Sequence, residues 1–265
     1  MIAAIFVVAF VSACSSEESP QIHQLTVTQR EKAIDSAMDL LHSDRSTEAL
    51  AITSMLIQKD PLSSESQETH ALALLAEATR QAAINNLGKA DTLRNKALTS
   101  YSNACKQSAD PGLLQLSTAQ LAQMIGKDEI AITYYKRAHD NVPTDARASF
   151  FLAQIAMLNE QWDEGYKWIS QSLQRSPNEP FALLSLALIE AERENIETAI
   201  ELAQEGCSLL PNEPKLRFIQ ARVMRIAQNY NRAMEILLLL PKEFRESKIY
   251  QDEIKLIQKQ SEITP

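Results

Sequence analysis

A repeat of thirty-four residues runs through the middle of the chain and limits the folds that it can adopt. The tetrapeptide PNEP occurs at 177–180 and again at 211–214, and another proline, Pro143, stands thirty-four residues before Pro177. A fixed period of this size is typical of helical solenoids, in which each repeat packs on the next. The period therefore predicts a stacked array of helical units.

Small residues recur at two positions of each unit. They stand twelve and five residues before the proline, as Ala131, Gly165 and Ala199, and as Ala138, Ser172 and Gly206. Two antiparallel helices approach closely only where the facing side chains are small, so these positions predict helix–helix contacts. Glycine occurs only five times in 265 residues, which disfavours β-hairpins because their tight turns need positive φ angles. The expected fold class is all-α.

The recurring positions resemble the tetratricopeptide repeat (TPR). In the unit 146–177 the pattern is carried by Leu152, Ala153, Gly165, Ile169, Ser172 and Pro177. The resemblance implies a right-handed α-solenoid of about five to six antiparallel helix pairs over 26–265, closed by a C-terminal capping helix. The predicted units lie near 30–61, 65–109, 112–143, 146–177, 180–211 and 214–241, and the predicted cap covers 243–260.

Three units depart from the repeat pattern. The helices of unit 65–109 are expected to be longer than standard by about a turn, and Ser64 with Gln67 resembles a capping box that opens it. Thr118 stands in unit 112–143 where a large apolar residue is usual. In the last unit, Pro241 comes four residues ahead of its expected place.

The N-terminus resembles a bacterial lipoprotein signal. Residues 1–13 are apolar but too short to span a bilayer, which is typical of the apolar region of an export signal. Val11-Ser12-Ala13-Cys14 resembles the lipobox, so residues 1–13 are interpreted as a signal peptide and Cys14 as the lipidation site. No lysine or arginine precedes the apolar run, and the alternative is a hydrophobic tail with an incidental cysteine.

The segment after Cys14 indicates how the repeats would be attached to the membrane. Residues 14–25 are polar, contain Pro20, and are interpreted as the lipidated cysteine and a flexible tether. Ser15 lacks the aspartate that resembles an inner-membrane retention signal. The expected location is therefore the outer membrane, with the repeats facing the periplasm.

Composition and motifs argue against several functions. The net charge of -8 disfavours non-specific nucleic-acid binding. The sequence has no CxxC pair and no Walker, Rossmann, G-x-S-x-G or H-E-x-x-H pattern, so neither a metal site nor enzymatic activity is predicted. The four histidines are expected to be exposed. Cys105 and Cys207 occupy equivalent sites three units apart and are expected to be reduced, largely buried thiols.

The TPR resemblance also implies a binding groove lined by the first helix of each unit. Carried over by position, the predicted groove residues are Gln120, Arg147, Phe150, Gln154, Met157, Leu184, Leu188, Phe218, Arg222 and Arg225. An apolar centre with a basic C-terminal end suits an amphipathic helix or an extended peptide with an acidic end. The alternative is that many of these apolar side chains pack between helices.

These expectations define one favoured function and one alternative. The favoured function is a non-catalytic, lipid-anchored scaffold that recruits a protein or peptide partner in envelope assembly, with pilus biogenesis as the first candidate system. The alternative is a cytosolic TPR adaptor. No cofactor is expected for either.

Overall fold

Helices make up about four fifths of residues 25–263, the part of the chain that the computed structural model describes, and this part contains no strand. The predicted signal peptide, Cys14 and the tether up to residue 24 lie outside it. The helices are α1 Val27–His42, α2 Ser46–Lys59, α3 Ser64–Ala83, α4 Leu87–Gln107, α5 Gly112–Met124, α6 Asp128–Asn141, α7 Arg147–Leu158, α8 Trp162–Arg175, α9 Pro180–Glu192, α10 Ile196–Leu209, α11 Pro214–Ile226, α12 Tyr230–Leu238, α13 Lys242–Arg245 and α14 Lys248–Ile263.

The helices α1 to α12 form six pairs that stack in chain order. Each helix contacts its partner in the pair, and each pair contacts the next, as α9 contacts α10, α8 and α11. Contacts between first helices join α1 with α3, α7 with α9, and α9 with α11. The all-α solenoid expected from the repeat is therefore confirmed. Within the described residues, no helix is both long and apolar enough to cross a lipid bilayer.

The turn inside each pair has the same backbone geometry. A residue with positive φ occurs at Gly126, Glu160, Glu194 and Gln228, again at intervals of thirty-four residues, with φ between 57° and 73°. The two N-terminal pairs use Asp44 and Asn85 in the same way. This left-handed residue ends the first helix and lets the second return antiparallel to it.

The small residues of the repeat lie at the closest helix contacts. Ala131 and Ala199 are fully buried. A Cβ atom at Gly206 would lie 2.1 Å from Leu184 Cδ1 and 3.1 Å from the carbonyl oxygen of Pro180. The α9–α10 contact therefore requires glycine at this position.

The second pair is longer than the others, as expected, but its cap differs from the prediction. Helices α3 and α4 contain 20 and 21 residues, whereas α5 and α6 contain 13 and 14. The N-cap of α3 is Ser63, whose Oγ accepts from the backbone N–H of Ser66. Gln67 donates to the carbonyl of Pro61, and Ser64 donates to the carbonyl of Ala104. The capping box predicted at Ser64 is therefore wrong, because both side chains bond elsewhere.

The C-terminal end departs from the repeat. Helix α12 has 9 residues, whereas α6, α8 and α10 each have 14. After Pro241 the short α13 leads into α14, which packs on α11 and α12. Tyr250 and Ile257 of α14 are buried, whereas Ile249 is exposed. Helix α14 thus covers the end of the array.

Candidate binding surface on the first helices

The most accessible predicted groove residues lie on α5 and α7. Gln120 and Arg147 are exposed, and Gln154 is partly exposed. The guanidinium of Arg147 donates to both carboxylate oxygens of Asp145, and these hydrogen bonds lower the pKa of Asp145 and raise that of Arg147. More than half of the Arg147 side chain remains accessible. This part of the surface is polar and carries hydrogen-bonding groups.

Phe150 and Met157 contribute only part of their side chains to this surface. Phe150 lies edge-on to Phe151, with ring centroids 5.6 Å apart, and packs against a core cluster that contains Ile169. Met157 packs against the same cluster. Both residues therefore support the surface from beneath while remaining partly exposed.

Leu184 and Leu188 do not line an accessible groove. Leu184 is fully buried with Cys207 and Leu216, because α11 of the next pair packs over it. Leu188 is buried in a cluster that includes Val223 of α11. The prediction that these leucines contact a partner is wrong, and the alternative of packing between helices applies to them.

The predicted basic end is occupied by the capping helix. Arg225 Nε donates to Glu253 Oε1 of α14 at 2.5 Å, and both side chains are largely buried. Arg222 Nε lies 3.9 Å from Glu253 Oε2 and stays more accessible. Phe218 packs on Phe244 of α13, with ring centroids 5.4 Å apart. Arg225 is therefore already neutralised within the chain, which leaves Arg222 as the accessible cation of the predicted pair.

A cavity that the sequence did not indicate lies further towards the N-terminus. It encloses about 720 Å³ and is bordered by α3, α5 and the loop between α4 and α5. Arg30 contacts Asp60 at 3.0 Å and Glu65 at 3.3 Å at its rim. Burial raises the pKa of Glu68, and the nearby Glu65 raises it further. Leu113 adds an exposed apolar side chain. No repeat position marks this cavity, because residues of four different segments form it.

The surroundings of His70, Cys105 and Cys207 indicate roles in packing. His70 is buried, which contradicts the expectation of exposure, and its Nδ1 lies 3.0 Å from Thr53 Oγ1. Burial, together with the nearby positive charge of Lys96, lowers the pKa of His70 to about 4. Cys105 and Cys207 are free thiols whose pKa values burial raises; Cys207 is buried and Cys105 is partly exposed. Among the described residues, no group of three or more histidines, cysteines and acids could hold a metal ion.

Thr118 fits the core despite its polarity. It is fully buried, and its hydroxyl donates to the carbonyl of Leu114 at 2.7 Å. Its Oγ1 also lies 3.3 Å from Cys105 Sγ. The hydroxyl is satisfied within its own helix, so the position tolerates threonine where a large apolar residue was expected.

Comparisons with known proteins agree on the fold. No protein-family model matches the sequence. Human (Homo sapiens) tetratricopeptide repeat protein 7B is 25% identical over 127 residues, which cover 46% of this chain and only 15% of that protein. The chain thus spans a small fraction of the length of the curated relatives that it matches.

Two solved structures match over most of their length. PilF of Pseudomonas aeruginosa aligns with a TM-score of 0.64 and 14% identity, covering 85% of this chain and 96% of that one. PilW, a widely conserved type IV pilus biogenesis factor, aligns with a TM-score of 0.62 and 16% identity, covering 87% of this chain and 100% of that one. At these identities the likeness establishes the fold alone: the helix pairs form a TPR-type solenoid.

Proposed function

We propose that this chain is a non-catalytic, protein-binding scaffold anchored to the bacterial envelope by a lipid on Cys14. Its first helices would hold a peptide or protein partner that acts in envelope assembly. The observation that carries the proposal is the surface of α5 and α7, where Gln120, Arg147 and Gln154 from two adjacent units remain available beside partly exposed Phe150 and Met157. Mixed polar and apolar groups repeated along one face suit an extended or helical peptide.

The structure changes the partner chemistry that the sequence suggested. Because Leu184 and Leu188 are buried and Arg225 is paired with Glu253, the accessible surface is more polar and less basic than the sequence pattern indicated. A partner would therefore depend on hydrogen bonds to glutamine side chains, with Arg222 as the site for an acidic group at the C-terminal end.

Two considerations support a role at the envelope. Val11-Ser12-Ala13-Cys14 resembles a lipobox, and Ser15 suits retention at the outer membrane, so we propose that the repeats face the periplasm. PilW, whose structure has the same fold, is a type IV pilus biogenesis factor. Pilus biogenesis is therefore our first candidate for the assembly process.

The anchor is tested by the Cys14→Ala substitution. We expect the wild-type chain to fractionate with outer membranes and the variant to be lost from them, with Cys105→Ala as the matched control that stays membrane-bound. Metabolic labelling with a palmitate analogue should mark the wild type and not the Cys14 variant. If the wild type stays soluble and unlabelled, the cytosolic adaptor is the correct alternative.

The binding surface is tested separately with the double variant Gln154→Ala/Arg222→Glu. Partners are crosslinked in native envelopes and identified in the wild-type pulldown. We expect the double variant to recover at least about tenfold less of these partners than the wild type does. The control, Gln204→Ala/Lys136→Glu, makes the same types of change at exposed positions of second helices. Equal recovery by wild type and double variant would place the binding site elsewhere.

A further inference from the structure

The shortened α12 leaves an unfilled place at the C-terminal end of the array. In the preceding pair, the last part of α10 packs against the first turn of α9, where Pro180 and Leu183 are buried. The residues thirty-four positions later are Pro214 and Arg217, and both are partly exposed. The chain turns away at Pro241, so the last helical turn that covers this place in the preceding pair is missing here.

The missing turn leaves a cavity with an apolar wall. It encloses about 370 Å³ and is lined mainly by three prolines, Ile236, Leu239 and Leu240, with Arg217 and Arg232 as its charged groups. The predicted partner-binding residues of α5 and α7 take no part in it. In the preceding pair the corresponding place is covered by Gly206 and Cys207, and the cavity left here has room for a leucine side chain.

One residue that lines the cavity also protrudes from the surface. Leu239 is 86% exposed, and its neighbour Leu238 is 56% exposed, although both follow directly from the buried Leu237. Their exposure continues the apolar surface of the cavity wall, and burying such a surface against a partner is favourable. A protruding leucine and a cavity with room for a leucine side chain therefore lie side by side on one surface patch.

Charges on the patch are also self-complementary. Arg232 and Glu235 form an exposed ion pair at 2.7 Å, and Glu235 stands one helical turn before Leu239. Arg217 adds a second guanidinium, whose Nε donates to the carbonyl of Pro211. A copy that inserts Leu239 would bring its own Glu235 towards these arginines.

We propose that two copies of this chain associate through their C-terminal ends, each inserting Leu239 into the cavity of the other. An interface of this kind is isologous, because the same patch of each copy supplies the inserted leucine, the cavity that receives it and charges of both signs. The end of α12 from one copy then takes the place of the helical turn that the other copy lacks. The first-helix surface of α5 and α7 stays open in each copy.

The test is the mass of the full chain in detergent solution, measured by light scattering from about 1 to 100 µM with the detergent contribution subtracted. We expect the mass to approach two chains at the upper end for the wild type. Leu239→Glu should remain at one chain throughout. Leu158→Glu is the matched control, since Leu158 is 80% exposed at the end of α7, and it should dimerise as the wild type does.

Disulfide trapping provides a second readout that does not depend on an added charge. Under mild oxidation, Leu239→Cys should give a covalent dimer, whereas Leu158→Cys should give none above the background from the native cysteines. A wild-type mass of one chain over the whole range overturns the proposal. It is also overturned if Leu158→Glu dissociates the dimer as fully as Leu239→Glu does.

Discussion

Single residues in the turns show how strongly the stacked helices determine the local backbone. Glycine is the residue that adopts positive φ most readily, yet among the turns of the six described pairs Gly126 alone is a glycine. Glu160 and Glu194 adopt φ angles of 57° and 66° at equivalent positions. A glutamate in this region costs about 1 kcal/mol or more, which the packing of each helix pair must offset. At this position of the thirty-four-residue repeat, the backbone conformation is therefore more constant than the residue type.

His70 shows a burial that the repeat pattern did not indicate. The ring lies between α2 and α3, where Thr53 is its hydrogen-bond partner, and Lys96 disfavours a second nearby positive charge. The neutral form is therefore favoured in the folded state. Its folded pKa of about 4 lies below the ordinary value of 6.5.

This pKa shift predicts a loss of stability at mildly acidic pH. The stability that neutral His70 contributes is complete above pH 6.5 and is lost as pH falls towards 4, because the unfolded chain takes up the proton first. Between pH 7 and 5 we expect the free energy of unfolding to fall by about 2 kcal/mol more in the wild type than in His70→Gln. Urea unfolding at both pH values measures this, with His42→Gln at an exposed position as the control. Equal losses in the wild type and His70→Gln would contradict the assignment.

Among the helices, α14 matters beyond its role as a cap. Helix α11 is the last first helix of the array, and α14 packs on it and on α12. Glu253 places a carboxylate against Arg225, while Tyr250 and Ile257 cover the apolar side chains. A capping helix in a solenoid needs one apolar face towards the array and one polar face towards solvent. On its buried face, α14 adds the ion pair between Glu253 and Arg225 to the apolar contacts.

Removing this ion pair should loosen the capping helix. Glu253→Gln keeps the shape of the side chain but leaves the largely buried Arg225 without a charged partner, which we expect to destabilise the docking of α14 by about 3 kcal/mol. Hydrogen exchange should report the loss first in α14 and then in α12. Glu235→Gln breaks an exposed pair with Arg232 and should cost less than about 1 kcal/mol. Unchanged exchange in α14 of the Glu253 variant would show that apolar packing alone holds the cap.

In the whole molecule, stability is distributed along the stack. Contacts join each helix to its neighbours in the same and adjacent pairs, and the core divides into clusters along the chain. Proteins built in this way behave approximately as a sum of unit stabilities and neighbour contacts, so distant units respond weakly to each other.

A core truncation at one end should therefore act locally. Leu56→Ala removes a buried side chain of α2 and is expected to cost about 3 kcal/mol, with hydrogen-exchange protection lost mainly in α1 to α3. Leu237→Ala in α12 is the reciprocal variant and should affect α11, α12 and α14. Protection lost evenly along the chain in either variant would show that the array unfolds as one cooperative unit.

The sequence by itself determined the helical class, the pairing of helices and the positions of the small residues, because these depend on local spacing that the period of thirty-four repeats. Only the tertiary structure decided which first-helix residues remain accessible. Leu184 stands at the same repeat position as the partly exposed Phe150, yet the next unit covers it. Arg225 stands at the same repeat position as Met157, yet Glu253 of α14 neutralises it. The cavity beside α12 and the contact of Arg225 with Glu253 depend on where the repeat stops, and neighbours outside the repeat cannot be inferred from its period.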